Sequence, residues 1–143
     1  MRKSVIIYWS GTGNTEAMAH AIAEGASFAG QEIPLFEVSS ISANAAKEYD
    51  NLILGCPPAG SEVLEEYEFE PFFAELEGNI KGKNIALFGS YGWGDGEWMR
   101  DWEDRVREAD ATLLDGEGLI INEMPDDAGL DLCRALGARV SKM

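Results

Sequence analysis

The sequence has little positive charge and only one histidine. Its 143 residues include 11 Lys and Arg against 26 Asp and Glu, so the formal net charge is −15 at pH 7. Proteins that bind the phosphates of DNA or RNA, or an anionic membrane surface, use clustered Lys and Arg for that purpose. The composition therefore argues against nucleic-acid and membrane partners and favours a partner with a basic face.

Cysteines and long apolar runs are also scarce. Two cysteines, Cys56 and Cys133, are too few for a disulfide scaffold, and we expect reduced thiols in a cytoplasmic protein. The apolar run over residues 5–9 is too short for the core of a signal sequence or for a membrane span. Because no repeat or low-complexity linker is visible, we expect a single domain over residues 1–143 with one substantial core.

Strand-like apolar runs alternate with helical patterns along the chain. The strand-like runs cover residues 5–9, 33–38, 52–55 and 84–89, and a broken fifth run covers 112–114 and 119–121. Helical spacing is found at 15–29, 43–49, 69–76, 98–109 and 132–140. This alternation predicts a doubly wound α/β fold, with a parallel sheet and helices on both faces. Ligands bind such sheets at the carboxyl ends of the strands, which points to the loops after the first, third and fourth strands.

The loop over residues 10–15 joins the first strand to the first helix and reads Ser-Gly-Thr-Gly-Asn-Thr. Its glycines allow a tight turn that points backbone N–H groups inward, beside the positive end of the helix dipole. It has neither the lysine of a P-loop nor the third glycine of a dinucleotide loop, whose place Glu16 takes. We predict a phosphomonoester site built from Ser10, Gly11, Thr12, Gly13, Asn14 and Thr15, which binds through hydrogen bonds alone. The alternative is a plain helix start that Asn14 or Thr15 caps.

Three segments, in this order, resemble the flavodoxin family. Residues 8–16 (Tyr-Trp-Ser-Gly-Thr-Gly-Asn-Thr-Glu) resemble its FMN-phosphate loop. Residues 54–62 (Leu-Gly-Cys-Pro-Pro-Ala-Gly-Ser-Glu) and 89–96 (Gly-Ser-Tyr-Gly-Trp-Gly-Asp-Gly) resemble flavin loops of its short-chain, clostridial-type branch. The resemblance extends over essentially the whole chain. It implies bound FMN and a five-stranded sheet of order 2-1-3-4-5, in which the short break after the residue pair 113–114 is typical of short-chain members.

Trp93 lies among four glycines, where a large aromatic ring is suited to lie flat on a planar ligand. The resemblance implies that Trp93 stacks on the isoalloxazine, while the backbone amides of Gly92 and Gly94 face its N1/O2 edge. Trp98 and Trp102 lie instead on the apolar stripe of a helix, so we assign them to the core.

The resemblance also implies roles in the loop after the third strand. In the family, the peptide at the position of Gly60 turns over on reduction, so that its carbonyl accepts a hydrogen bond from the flavin N5. Glu62 matches the residue whose carboxylate accepts the flavin N3–H; without the resemblance it is a solvated member of an acidic run. The resemblance further places Pro57, Ala59, Ser61, Ser90, Tyr91 and Asn122 at the flavin, with Ser90 and Asn122 near the ribityl chain and the phosphate. Relatives usually have a large apolar residue at the position of Ala59 and a small one at that of Pro58.

The function implied is that of a low-potential one-electron carrier, whose non-covalently bound FMN cycles mainly between the neutral semiquinone and the anionic hydroquinone. The loops offer no catalytic acid or base and no metal site, and the lone His20 falls on the first helix, where we expect it at the surface. The alternative is an FMN-dependent NAD(P)H quinone or nitro reductase, which needs a nicotinamide pocket over an open flavin face; a stacked Trp93 argues against it. A signalling receiver domain is excluded because it needs acidic residues after the first and third strands, where this chain has Ser10-Gly11 and Cys56-Pro57.

Acidic residues crowd the two segments that follow the flavin loops. They are Glu62, Glu65, Glu66, Glu68 and Glu70 in the first, and Asp95, Glu97, Asp101, Glu103 and Asp104 in the second. We expect a strongly negative rim that lowers the second reduction potential and attracts basic docking faces on redox partners, such as ferredoxin/flavodoxin-type reductases or oxidoreductases. We expect the protein to be a monomer.

Overall fold

The computed structural model of this chain describes residues 3–143, in which strands and helices alternate. In order they are β1 (Ser4–Tyr8), α1 (Asn14–Phe28), β2 (Leu35–Glu37), a 3-10 turn (Val38–Ser40), α2 (Ala43–Ala46), β3 (Asn51–Gly55), β4 (Pro58–Ala59), β5 (Val63–Leu64), α3 (Phe69–Glu77), β6 (Asn84–Tyr91), α4 (Glu97–Glu108), β7 (Thr112–Leu113), a second 3-10 turn (Leu114–Gly116), β8 (Leu119–Asn122) and α5 (Asp127–Val140). The predicted helices and strands are present with shifted ends; α2, for example, is shorter than the pattern over residues 43–49 indicates.

The main sheet is parallel, in the order β2-β1-β3-β6, and its fifth position is shared by β7 and β8. β7 pairs with the first two residues of β6, whereas β8 pairs with the last four. Between them the 3-10 turn contains Asp115 at φ 64°. The predicted order 2-1-3-4-5 is therefore confirmed, with a fifth strand that is interrupted at the break seen in the sequence.

Helices cover both faces of the sheet, and β1 contributes to both cores. Because successive side chains of a strand point to opposite faces, Val5 and Ile7 join the core under α3 and α4, whereas Ile6 and Tyr8 join the core under α1 and α5. Trp98 and Trp102 are each 1% exposed in the first of these cores, which confirms their assignment. Within residues 3–143, no helix combines the length and apolar character needed to cross a membrane.

α1 and α5 touch backbone to backbone at two glycines. A Cβ added at Gly25 would lie 2.0 Å from the carbonyl oxygen of Arg134, and one added at Gly137 would lie 2.0 Å from that of Ile22. Any side chain at these positions would force the helices apart. The contact therefore fixes the position of α1, which begins at the loop over residues 10–15.

We expect Gly137→Ala to lower the free energy of unfolding by about 2 kcal/mol, because overpacking a rigid contact typically costs 1–3 kcal/mol. Gly78→Ala is the matched control: Gly78 is exposed, has φ −75°, and has open space where the Cβ would lie. We expect that change to be neutral or slightly stabilising. Urea denaturation followed by circular dichroism measures both, and equal shifts of the two midpoints would contradict the close contact.

Candidate functional site

The loops after β1, β3 and β6 open on one cleft of about 320 Å³ at the carboxyl ends of the strands. The predicted site residues that line it are Ser10, Gly11, Thr12, Asn14, Thr15, Pro57, Ser90, Tyr91, Gly92 and Trp93. Trp9 and Pro58 also line it, although the sequence analysis does not assign them to the site. The other predicted residues, Gly13, Ala59, Gly60, Ser61, Glu62, Gly94 and Asn122, do not line the cleft.

The loop over residues 10–15 is held in shape by the hydroxyl group of Ser10. Its Oγ accepts hydrogen bonds from the backbone N–H of Gly13 at 3.1 Å and from that of Glu16 at 3.3 Å. Gly13 precedes α1 with φ 95°, a left-handed conformation that favours glycine. The Ser10 hydroxyl keeps its own proton, with which it can still donate to a ligand.

Neither Asn14 nor Thr15 caps α1, so the loop is not the plain capped helix start considered above. The hydroxyl oxygen of Thr15 instead accepts from the backbone N–H of Ser90 at 3.3 Å. Within residues 3–143, the N–H groups of Gly11, Thr12 and Thr15 form no hydrogen bond with protein atoms. The loop thus presents backbone donors without partners beside the cleft.

Ser90 joins the end of β6 to two other parts of the chain. Besides its N–H contact with Thr15, its hydroxyl donates to the carbonyl of Glu123 at 2.7 Å, and Ser90 is only 3% exposed. Asn122 donates from Nδ2 to the carbonyl of Tyr91 at 3.1 Å, so its amide fixes the neighbouring loop. The floor of the cleft is therefore tied to the start of α1 and to the end of β8.

The segment after β3, predicted as a loop, is a β-hairpin. β4 and β5 pair antiparallel with Ala59 opposite Val63, and the residues between them form the turn. Gly60 has φ 52°, in agreement with the positive φ predicted for it, and Glu62 has φ 56°. The left-handed conformation at Glu62 was not predicted, because it is sterically strained for any residue that has a Cβ.

The carboxylate of Glu62 connects this hairpin to the glycine-rich loop after β6. Its Oε1 accepts from the backbone N–H of Glu97 at 3.1 Å, at the start of α4. A Cβ added at Gly94, which has φ 77°, would lie 2.5 Å from the carboxyl carbon of Glu62. Gly94 is thus required by this close approach, and Glu62 is an anchored side chain rather than a freely solvated one.

Trp9 is the site residue that the sequence analysis missed most clearly. Its indole N–H donates to the carboxylate of Glu68 at 3.1 Å, and its ring lies where a Cβ on Gly11 would come within 2.9 Å. The available signal was a bulky aromatic residue at the end of the first strand, directly before a glycine loop. Strand periodicity assigns such a residue to the sheet. Its hydrogen-bond partner, Glu68, is distant in sequence, so no local pattern places the Trp9 ring at the cleft.

Glu65 is buried, contrary to its predicted place on the rim. It is 6% exposed, and its carboxylate accepts from the backbone N–H groups of Tyr67, Glu68 and Phe69 at 2.8 Å each. Its own N–H donates to the sulfur of Cys56 at 3.4 Å. A carboxylate with three backbone donors can be buried without an ion-pair partner, and it fixes the start of α3.

Both thiols are buried and free, as expected for reduced cysteines. Burial raises the pKa of the Cys56 thiol well above its ordinary value, and burial raises the pKa of Cys133 to about 12. Both groups therefore stay protonated at neutral pH, which makes them inert.

The negative rim is narrower than the sequence predicts, because several of its members have partners. Arg105 binds Glu70 at 2.7 Å, Arg100 binds Asp95 at 3.0 Å, and Arg107 binds Asp104 at 3.1 Å. Glu65 is buried, whereas Glu103 accepts from the backbone N–H of Gly118 and keeps its charge. Among the described residues, the predicted rim carboxylates that are not buried and have no ion-pair partner are Glu62, Glu66, Glu68, Glu97, Asp101 and Glu103.

Comparisons with known proteins agree with the fold. The family model for flavodoxin matches residues 6–137. A flavodoxin of Clostridium beijerinckii is 46% identical over 138 residues, which cover 96% of this chain and 99% of that protein. A flavodoxin of Megasphaera elsdenii is 44% identical over 137 residues, covering 96% and 97%. The solution structure of the two-electron reduced Megasphaera elsdenii flavodoxin matches with a TM-score of 0.88 at 44% identity, covering 98% of this chain and 99% of that one.

These similarities extend over nearly the full length of both this chain and its relatives. They do not favour the reductase alternative, since the relatives are electron-transfer proteins rather than enzymes. The chain belongs to the flavodoxin family and is an FMN-binding electron carrier.

Proposed function

We propose that FMN binds in the cleft between the loops after β1, β3 and β6, with its phosphate in the loop over residues 10–15. The observation that supports this most directly is that one cleft combines backbone N–H groups without partners and the indole of Trp93, which is 47% exposed. Bound FMN supplies a ring system that takes up and returns electrons one at a time. The protein contributes binding, orientation and electrostatics.

The donors of the loop fit a phosphate monoester. The free N–H groups of Gly11, Thr12 and Thr15, with the side chains of Ser10 and Asn14, can surround its oxygen atoms. The start of α1 adds the positive end of the helix dipole. Of the described residues that line the cleft, none is Lys or Arg, so hydrogen bonds and the dipole must hold the phosphate.

The remaining lining fits a planar ring. We infer that the indole of Trp93 packs on the flavin, because its loop has glycines on both sides and the ring has no place in the core. Glu62 uses Oε1 at the start of α4, and Oε2 stays available to accept the flavin N3–H. The proposed FMN-binding residues are Ser10, Gly11, Thr12, Gly13, Asn14, Thr15, Pro57, Ala59, Gly60, Ser61, Glu62, Ser90, Tyr91, Gly92, Trp93, Gly94 and Asn122, to which the geometry adds Trp9 and Pro58.

We infer further that the partners are redox proteins with basic docking faces. The carboxylates without ion-pair partners lie in the hairpin turn, in the stretch between β5 and α3, and in the first turns of α4. Tyr67, between Glu66 and Glu68, is 88% exposed. The field of these carboxylates opposes additional negative charge on the flavin, which supports a low second potential. We propose that the protein acts as a monomer in the cytoplasm, as a single domain over residues 1–143.

Stepwise anaerobic reduction tests the carrier function. We expect purified protein to retain FMN and to take up electrons in two separate one-electron steps, with no NAD(P)H oxidation unless a reductase is added. A single two-electron step, together with direct quinone-dependent oxidation of NADPH, would instead establish the reductase alternative. Absorbance spectra recorded during the titration, followed by a steady-state assay, distinguish the two.

We expect Gly60→Ala to lower the potential of the first one-electron couple by tens of millivolts. A Cβ makes left-handed conformations at this turn about 1–2 kcal/mol less favourable, and 1.4 kcal/mol corresponds to about 59 mV for one electron. The matched control is Gly82→Ala, since Gly82 has φ 79° in an exposed turn before β6. That change should cost stability and leave both potentials unaltered. An unchanged first potential in Gly60→Ala would remove this turn from the tuning mechanism.

Electron transfer from a ferredoxin/flavodoxin-type reductase should slow by about tenfold or more from low to high ionic strength, as salt screens an attractive field. Glu97→Gln, which removes an unpaired charge at the start of α4, should lower the low-salt rate and weaken the salt dependence. Glu48→Gln, which removes a charge before β3 at the opposite end of the sheet, is the control. Stopped-flow rates that do not change with salt, or that fall equally in both variants, would disprove the steering.

A further inference from the structure

Glu16 occupies an unusual place at the start of α1. It is the third helical residue after Gly13, where a glutamate ordinarily reaches back to the N–H of the residue that precedes the helix. That N–H group, on Gly13, instead donates to Ser10 Oγ at 3.1 Å. The carboxylate of Glu16 turns away and accepts from the hydroxyl of Tyr8 at 2.9 Å.

Tyr8 is well placed to hold this carboxylate. It is the last residue of β1, it is 4% exposed, and its side chain belongs to the core under α1 and α5. Burial, the hydrogen bond to Glu16 and the charges of Glu16 and Glu37 raise the pKa of Tyr8 to about 12. The hydroxyl therefore keeps its proton at neutral pH and remains a donor.

The hydrogen bond has a consequence for the neighbouring loop. Asn14 and Thr15, in the same first turn of α1, line the cleft, whereas Glu16 does not. A released Glu16 carboxylate could compete with Ser10 Oγ for the N–H of Gly13, which would bring a negative charge among the N–H groups that a phosphate needs. No Lys or Arg among the described lining residues could offset that charge.

We propose that Tyr8 is a positioning residue that keeps the carboxylate of Glu16 out of the phosphate loop, and thereby sets the preference for FMN over riboflavin. This inference rests on the proposed function, in which the loop over residues 10–15 binds the phosphate. Riboflavin carries the same ring system without the phosphate. A charge that repels only the phosphate therefore leaves riboflavin binding unaltered.

The test compares dissociation constants for FMN and riboflavin, measured by fluorescence titration of the full-length chain freed of flavin. We expect Tyr8→Phe to weaken FMN binding by about tenfold, as a nearby like charge does, and to change riboflavin binding by less than about twofold. Tyr8→Phe combined with Glu16→Gln should bind FMN at least as tightly as the unmodified chain. Tyr49→Phe, at the opposite end of the sheet, controls for loss of a tyrosine hydroxyl and should alter neither constant.

Two results would overturn the inference. One is that Tyr8→Phe weakens the binding of FMN and riboflavin equally; the other is that the double variant binds FMN as weakly as Tyr8→Phe does. Glu16→Asp provides the same contrast where Tyr8→Phe does not fold, because the shorter side chain keeps the charge and loses the contact. Glu16→Asp should weaken FMN binding and leave riboflavin binding unaltered. Equal weakening of both would again overturn the inference. Asn14→Ala tests the underlying assignment separately, since an unchanged FMN-to-riboflavin ratio in that variant would remove the phosphate from this loop.

Discussion

The common edge at which β1, β3 and β6 end is the constraint on which the rest of this structure depends. Because the three strands are neighbours in a parallel sheet, the chain leaves the sheet at this edge three times. The three loops that follow line the cleft. The loops differ in local chemistry: the one after β1 turns into α1, the one after β3 has two prolines where the hairpin begins, and the one after β6 is rich in glycine. The sheet supplies position, and the loops supply donors, apolar surface and freedom to turn.

In a chain with a net charge of −15, several carboxylates serve as internal acceptors. Glu65 satisfies three N–H groups before and at the start of α3, Glu62 satisfies one at the start of α4, and Glu16 accepts the hydroxyl of Tyr8. Helix starts leave such donors without partners, so an acidic side chain nearby stabilises them. These carboxylates keep their charges, so what lowers the negative field at the rim is the ion pairs of Glu70, Asp95 and Asp104 and the burial of Glu65.

The alternation of strands and helices could be predicted because continuous apolar runs and helical spacing are both strong local signals, and the loop glycines indicated the site. The strand order 2-1-3-4-5 was implied by the resemblance to the flavodoxin family, not by these patterns. The hairpin of β4 and β5 could not, since each strand has two residues and no periodicity of its own. The place of Trp9 depends on Glu68, a contact across the fold. The burial of Glu65 depends on backbone N–H groups two to four residues further on, which its charge alone does not indicate. Arg105 likewise finds its carboxylate partners on another helix, which no local pattern indicates.

The glycine contact between α1 and α5 has a consequence for the order in which the protein becomes functional. Within residues 3–143, α1 comes before every strand except β1, whereas α5 follows all of the strands. Until α5 is in place, the surface of α1 around Gly25 lacks this contact, and the helix start beside the loop over residues 10–15 is not held. Formation of the loop over residues 10–15 therefore depends on α5, which lies more than 100 residues further along the sequence.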